Sequence, residues 1–262
     1  MSDATLSAAD RRVMIAKLVQ EKGQVSALEL KREFNIADTS IWRDLRLLET
    51  NGQLKRVRGG AVAASRNPRI DSFSLRMKQH IREKERIGLA AARLINPKDV
   101  CLFDSGGTTL QIIKHISEGL RRMNSITLVT NSLPITHEVL GWTTPNLILL
   151  GGIYLPDYQA SVGPQTLHQL RELTADLVFL GTDGITLEGG VTTANILMAE
   201  VDRLMVERSN RAILVTDSSK FGRVGFVPVA PVKSFQTIIT DTNAPENIIS
   251  SIRNLGVDVI LV

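Results

Sequence analysis

The chain has 262 residues, 43% of them apolar, a net charge of +4 and one cysteine. That length accommodates two domains, that apolar share supplies a buried core, and a lone cysteine excludes an internal disulfide. No run is long and apolar enough to cross a bilayer and the first residues hold no signal-peptide core, so the expectation is a cytoplasmic protein with no membrane partner.

The charge is unevenly placed. Residues 1–70 hold 13 Lys and Arg against 8 Asp and Glu, and the remainder 18 against 19, giving +5 and −1. A basic head on a neutral body is the electrostatic footprint of a nucleic-acid module. Residues 10–21 read as a helix whose apolar side is Val13, Ala16, Leu18 and Val19, ended by Gly23. Ser26-Ala27-Leu28-Glu29 is a capping box that starts a second helix, with Leu28, Leu30 and Phe34 as its core residues. Residues 38–50 form a third. Asp38 serves as its N-cap, Ile41, Leu45 and Leu48 make one apolar stripe, and Thr39, Ser40, Trp42, Arg43 and Arg46 are left on the free side. Asn51-Gly52 ends it. A short strand over 53–57 follows, and Lys55, Arg56 and Arg58 crowd around Gly59-Gly60. Two short helices joined by a tight turn, then a basic hairpin, make a winged helix-turn-helix whose last helix enters the major groove. An ordinary amphipathic helix with a solvated charged face has the same periodicity, so the stripe does not decide between them.

The run Ser40-Ile41-Trp42-Arg43-Asp44-Leu45, continuing through Gly52, Leu54, Arg56-Val57 and Gly59-Gly60-Ala61, resembles the DeoR-type bacterial transcriptional regulators. Their signature is a T-I-R-R-D-L recognition helix and a basic turn ending in G-G-A. Ser40 and Trp42 stand where the family has Thr and Arg. Serine retains the hydroxyl; tryptophan does not replace a guanidinium fork, and either packs on sugar or a thymine methyl or tucks against the domain. The resemblance implies contact with double-stranded operator DNA. Arg43 and Arg46 reach base edges or phosphates, Thr39, Ser40 and Trp42 sit at the same surface, and Lys55, Arg56 and Arg58 hold the backbone. Asp44 is expected to serve inside the fold, orienting Arg43, Arg46 or a backbone amide.

Residues 62–71 carry small residues, a proline and no periodicity, and read as a linker. Residues 72–95 read as one long charged helix, softly broken at Gly88, either solvated or, on the family resemblance, connecting the parts. From Val100 onward, apolar runs at 100–104, 126–130, 146–152, 176–181, 211–217, 237–241 and 257–262 alternate with helical segments. Such runs, apolar on both faces, predict a parallel, doubly wound sheet with its ligand site beyond the carboxyl ends of the strands. The expected division is a winged helix-turn-helix domain at 8–63, linker and connecting helix at 64–97, and an effector-sensing α/β domain at 98–262.

The strand ends carry the informative residues: Asp104 to Thr109, Thr130-Asn131-Ser132, Gly151-Gly152, Gly181 to Gly184, and Thr216 to Lys220. A glycine pair flanked by hydroxyls before a helix offers a nest of backbone N–H groups for phosphate. The motifs D-S-G-x-T-T, T-N-S, G-G, G-x-D-G-I and D-S-S-K-F again resemble the DeoR-type family, whose C-terminal domain is similar to the sugar-phosphate isomerase fold. Their wording most resembles the amino-sugar branch. Carried over, the resemblance implies that Ser105, Gly106, Gly107, Thr108 and Thr109 bind effector phosphate, that Asn131, Asp183, Glu200 and Lys220 line the sugar end, and that Asp104 and Gly152 belong to the same effector site. No metal or cofactor is expected, and the four histidines, His80, His115, His137 and His168, are given no role. The expected protein is a homo-oligomeric repressor of a carbohydrate-utilisation operon, controlled by a phosphorylated sugar and without a catalytic residue. The competing class is a sugar-phosphate isomerase or deaminase with an added head, using Asp104, Asp183, Glu200 and Lys220.

Overall fold

The computed structural model describes residues 7–22, 24–50, 53–57, 59–63, 73–122, 125–143 and 145–262. The chain divides into two compact units, Met1–Arg69 and Ile70–Val262. In the first, helix α1 (Ala8–Lys22) leads through strand β1 (Gln24–Ser26) to α2 (Ala27–Phe34) and α3 (Asp38–Thr50), followed by β2 (Leu54–Val57) and β3 (Gly60–Ala63). The strands form an antiparallel sheet in the order β1-β3-β2. The capping box forms as expected: Glu29 N donates to Ser26 Oγ at 3.0 Å, and Ser26 N donates to Glu29 Oε2 at 3.1 Å. Asp38 is not a cap. The Ala37 carbonyl accepts the first amides of α3, from Ser40 and Ile41, while Asp38 pairs with Lys31 at 3.2 Å. The core of this unit is Ile15, Val19, Val25, Leu30, Ile41, Leu45, Leu48, Leu54 and Ala61. Val13 and Leu28, expected inside, are exposed: the buried stripe of α1 runs through Ile15 and Val19. Gly23, Asn51-Gly52 and residues 64–72, read as helix ends and linker, lie outside the described residues.

The second unit opens with α4 (Phe73–Lys78) and α5 (Ile81–Ala92), followed by β4 (Val100–Phe103), α6 (Gly107–His115), α7 (Glu118–Arg121), β5 (Thr127–Thr130), α8 (Leu133–Val139) and β6 (Asn146–Leu149). A hairpin of β7 (Ile153–Leu155) and β8 (Ala160–Val162) precedes α9 (Pro164–Arg171) and β9 (Ala175–Leu180). Then come β10 (Gly184–Thr186), β11 (Gly190–Thr193), α10 (Ile196–Glu207), β12 (Ser209–Val215), β13 (Val227–Ala230), β14 (Thr237–Thr240), α11 (Glu246–Asn254) and β15 (Asp258–Leu261). Seven strands pair in parallel in the order β15-β14-β12-β9-β4-β5-β6. These are the seven apolar runs of the sequence. Strands β10, β11 and β13 make a separate antiparallel sheet.

Alternate residues of each central strand face opposite layers. Leu102, Val178, Leu214 and Ile238 pack with Met198, Val201 and Met205 of α10 and with Ile249 and Ile252 of α11. Cys101, Phe103, Phe179, Ile213 and Ile239 pack with Ile87 and Ala91 of α5 and with Ile112 and Ile113 of α6. Helices thus cover both faces, as a doubly wound sheet requires.

The single helix expected over 72–95 is two. The break falls at His80, whose φ of 51° is left-handed and cannot continue a right-handed helix. Helix α5 is no solvated rod: Lys84, Ile87, Gly88, Ala91 and Ala92 are buried, and it belongs to the second unit. Gly88 permits this packing. A Cβ there would lie 2.7 Å from the backbone carbon of Gln111 on α6. Gly88→Val is expected to lower the stability of the second unit by about 1–3 kcal/mol through overpacking, read as a lower urea midpoint at unchanged slope. A midpoint equal to wild type would show that the helices separate freely.

Candidate functional site

Two surfaces gather the residues that the sequence singled out, one in each unit. On α3 the 3.6-residue period buries Ile41, Asp44, Leu45 and Leu48. Thr39, Arg43 and Arg46 are consequently exposed, with Ser40 and Trp42 half-buried beside them. Trp42 packs against the head's core and is half-buried, so part of it stays on this surface. Asp44 does work inside the fold, but its partner is Arg11 of α1, whose Nε donates to Asp44 Oδ2 at 2.7 Å. Arg56 was expected on the DNA backbone. It is tied to α3 instead, with Nε 2.5 Å from Glu49 Oε2 and its amide donating to Glu49 Oε1 at 2.8 Å. This bidentate hold fixes the hairpin against the helix. The side chain of Lys55 and the whole of Arg58 lie outside the described residues.

In the second unit, β4 and β9 are neighbours from which the strand order runs in opposite directions. That switch point opens a crevice at the carboxyl ends. The cavity there is lined by Arg76, Gln79, His80, Lys84, Asp104, Ser105, Gly106, Gly107, Thr108, Tyr158, Gly181, Thr182, Asp183, Thr192, Thr193, Met198, Asp202, Thr216, Asp217 and Lys220, with Val215 and Val229 below them. The first amides of α6, at Gly107 and Thr108, precede the helical hydrogen-bond ladder and sit at the positive end of its dipole. A Cβ on Gly107 would lie 3.7 Å from Lys84 Nζ, so the ammonium stands beside that helix end. Arg76, Lys220 and Asp217 lie close enough to act electrostatically on Lys84.

Burial holds Lys84 down to a pKa of about 8; Asp217 opposes this, while Lys220 and Arg76 add to it. Lys84 Nζ donates to the Arg76 carbonyl at 2.5 Å. The Arg76 guanidinium stacks 4.4 Å over the Tyr158 ring and donates to the Asp157 carbonyl at 3.0 Å, leaving Nη1 buried without a hydrogen bond. Tyr158 Oη, which lies toward Thr193, is also unpaired, and burial raises its pKa. At the far side Asp202 Oδ1 is buried without a partner. Burial first, then Asp104 and Asp183, push its pKa well above the carboxylate range.

Not every expected residue reaches this cavity. Ser105, Gly106, Gly107, Thr108, Asp183 and Lys220 line it, as does His80, to which no role was given. Asp104 lines it with both oxygens taken: Oδ1 accepts Gly106 N at 2.9 Å and Thr109 Oγ1 at 2.6 Å, and Oδ2 accepts Gly181 N at 2.7 Å. Burial raises its pKa and these bonds oppose the rise. Thr109 is fully buried in that clasp and Asn131 gives Nδ2 to the Ser161 carbonyl; neither lines the cavity. Gly152 and Glu200 are exposed and stand apart from it. Asp202 occupies the place expected of Glu200, because α10 turns Met198, Val201 and Asp202 inward and Glu200 outward.

A winged helix-turn-helix joined in one chain to an α/β domain with a polar cavity at its switch point defines a DNA-binding regulator with a sensor domain. Known proteins agree. The family model described as the DeoR-like helix-turn-helix domain matches residues 11–67, and the one described as the DeoR C terminal sensor domain matches residues 79–242. An Escherichia coli O157:H7 protein provisionally named an aga operon transcriptional repressor is 31% identical, over 97% of this chain and 93% of its own length. The L-fucose operon activator of Haemophilus influenzae is 29% identical, over 91% of this chain and 94% of its own. Ribose 5-phosphate isomerase A of Methanocaldococcus jannaschii aligns with 53% of each chain at a TM-score of 0.39 and 15% identity, too distant to carry an argument. The chain belongs to the DeoR family of transcriptional regulators.

Two outcomes test these surfaces. Asp44→Ala is expected to destabilise the head by about 3 kcal/mol, because it strands Arg11, which is 14% exposed, in a nearly dry site. A urea titration of the head's helical signal measures it, and a change below a few tenths would remove Asp44 from the fold's support. Inorganic phosphate titrated into the full chain should not lose affinity as pH rises toward 8, since it gains charge, and should weaken as pH rises past the Lys84 value of about 8. Phosphate itself only gains charge over that range, so constant affinity up to pH 10 would take Lys84 out of the anion site.

Proposed function

We propose that this protein represses a carbohydrate-utilisation operon and that a phosphorylated sugar bound in the switch-point cavity sets its grip on double-stranded operator DNA. The observation that carries the reading is the placing of Lys84, Arg76 and Lys220 around the amino end of α6. Fixed cations and free backbone amides together select a compact anion, and a phosphoryl group is the common one. The hydroxyls of Ser105, Thr108, Thr182 and Thr193 border the same space and suit a polyhydroxylated body. In the head, exposed Thr39, Arg43 and Arg46 on α3 provide the reading face. Paired half-sites lie about one helical turn apart, which calls for a homo-oligomer. The relatives' names include both a repressor and an activator, so the sign of regulation is part of the proposal.

The enzyme reading has less support. Asp104 has no oxygen free to act as a base, and Glu200 stands outside the cavity. Asp183 and Lys220 of the same set do line the cavity, so that arrangement is assembled only in part.

A gel-shift titration on the DNA upstream of the protein's own gene, with and without hexose 6-phosphates, tests the whole reading. Retardation that a sugar phosphate reverses is expected; no retardation at moderate salt would overturn it. Arg43→Ala should weaken DNA binding by about 1–3 kcal/mol at fixed salt and leave sugar phosphate binding intact. Lys220→Ala should keep DNA binding and lose the response to ligand. Equal effects of both substitutions on both properties would end this division of labour.

A further inference from the structure

Resting on the reading above that the regulator works as a homo-oligomer, we propose where its copies meet: the free edge of β6, with the outer strand of the β7–β8 hairpin beside it, pairs with the same edge of a second copy about a twofold axis.

Strand β6 ends the seven-stranded sheet, paired with β5 on one side and with no strand on the other among the described residues. Ile148 and Leu149 point to opposite faces of the sheet, yet they are 39% and 41% exposed, so the edge is partly bare on both faces. Strand β7 pairs with β8 alone and presents exposed Ile153 and Tyr154. Leu140, at the end of α8, is exposed as well, and α8 packs against β6.

Charge decides what covers this edge. In a chain that is 22% charged, the 18 residues from Val139 to Pro156 hold no Asp, Glu, Lys, Arg or His. Edge strands that stay single are guarded by charges, which oppose pairing with another strand. The opposite edge of the same sheet has that guard: β15 begins at exposed Asp258, and Arg253 Nη2 donates to the Val259 carbonyl at 3.4 Å. Strand β6 has none. A basic or acidic partner, DNA included, finds no counter-charge here, whereas this edge brings no like charge against itself. A twofold axis sets β6 antiparallel to its copy, so that the outward N–H and C=O groups of each meet acceptors and donors on the other. Size also suits a second copy. A stable interface takes about 20–30 residues from each side, and the uncharged run is nearly that long before the flank of α8 is added.

The hairpin continues to the cavity. Its turn holds the Arg76 guanidinium through the Asp157 carbonyl and the Tyr158 ring, and Tyr158 lines the cavity. The surface where copies meet and the cavity thus share one hairpin.

Sedimentation velocity of the full chain over a range of concentrations tests this with Ile148→Lys and Ile148→Glu, changes of the kind that guard natural edge strands. Each variant alone should fall to units of half the wild-type mass, with reassembly shifted to at least about tenfold higher concentration, because like charges face one another across the axis. Mixed in equal amounts, the two should assemble again, since opposite charges then meet. Wild-type assembly by either variant alone would overturn the proposal and leave the homo-oligomer reading standing. So would assembly lost in Phe226→Lys, on the exposed loop before β13, but kept in Ile148→Lys. A wild type that is monomeric at every concentration would bring down both. Tyr154 decides on the wild type where a variant fails to fold. Tetranitromethane nitrates accessible tyrosine, and the chain has two: Tyr154, 51% exposed in the single chain, and Tyr158, 5% exposed. In the assembled wild type Tyr154 should react at least about fivefold slower than N-acetyltyrosinamide, as a side chain covered by an interface does. Any smaller slowing would overturn the proposal.

Discussion

The carboxyl of Asp104 closes the gap that the winding order leaves in the sheet. From β4 the strands grow one way through β5 and β6, and from β9 the other way through β12, β14 and β15. At the point of divergence one side chain takes the amide of Gly181 after β9, the amide of Gly106 before α6, and the hydroxyl of Thr109 within it. A buried carboxyl with three donors is costly to disturb, because each donor left unpaired costs about 1–3 kcal/mol. The clasp therefore fixes the amino end of α6 against the strand ends, and with it the position of the amides that face the cavity. A residue that the sequence suggests is for ligand turns out to hold the shape of the cavity.

The same division between holding and reading runs through the head. Of its charged groups, Asp44 and Arg11 are spent on joining α3 to α1, and Arg56 and Glu49 on joining the hairpin to α3. Arg43 and Arg46 remain exposed on α3. Positive charge on a helix-turn-helix is thus no measure of its contact with a phosphate backbone. Part of it is neutralised within the fold, and the part left over sets how steeply binding responds to salt.

What the sequence made legible follows from burial. The five inner parallel strands are covered on both faces and read as continuous apolar runs; the edge strands β6 and β15, which are less buried, keep apolar runs as well, and all seven were visible. The strands of the two small antiparallel sheets of the second unit were not. Gly184–Thr186 and Ala160–Val162 are three residues long, and Gly190–Thr193 is mostly glycine and threonine, so no alternation has room to develop. The cavity's missed residues had a signal. Lys84 stands three, four and seven positions before Ile87, Gly88 and Ala91, which puts it on the buried stripe of α5. Asp202 stands four after Met198 on the buried stripe of α10, whereas Glu200 is about 200° round from Met198. A charged residue in phase with an apolar stripe marks a buried charge, and a buried charge needs a reason. Tyr158 offered no such clue, because it lies in a turn whose course no periodicity reveals.

Lys84 also constrains how an anion can act on the protein. Its ammonium has three donors, and one is given to the carbonyl of Arg76 in α4. The guanidinium of Arg76 is in turn held by the Asp157 carbonyl and the Tyr158 ring. An anion at the end of α6 must draw on Lys84 while this contact stands or at its expense. In either case the energy of binding is linked to the position of α4. Linkage is reciprocal: whatever shifts α4 changes the affinity for the anion by the same factor that the anion changes the population of α4's arrangements. An effector with equal affinity for both arrangements would shift nothing, however tightly it bound. Lys84 and Arg76 are a pair whose contact spans the break at His80, which is where the proposed effector would have to make such a difference.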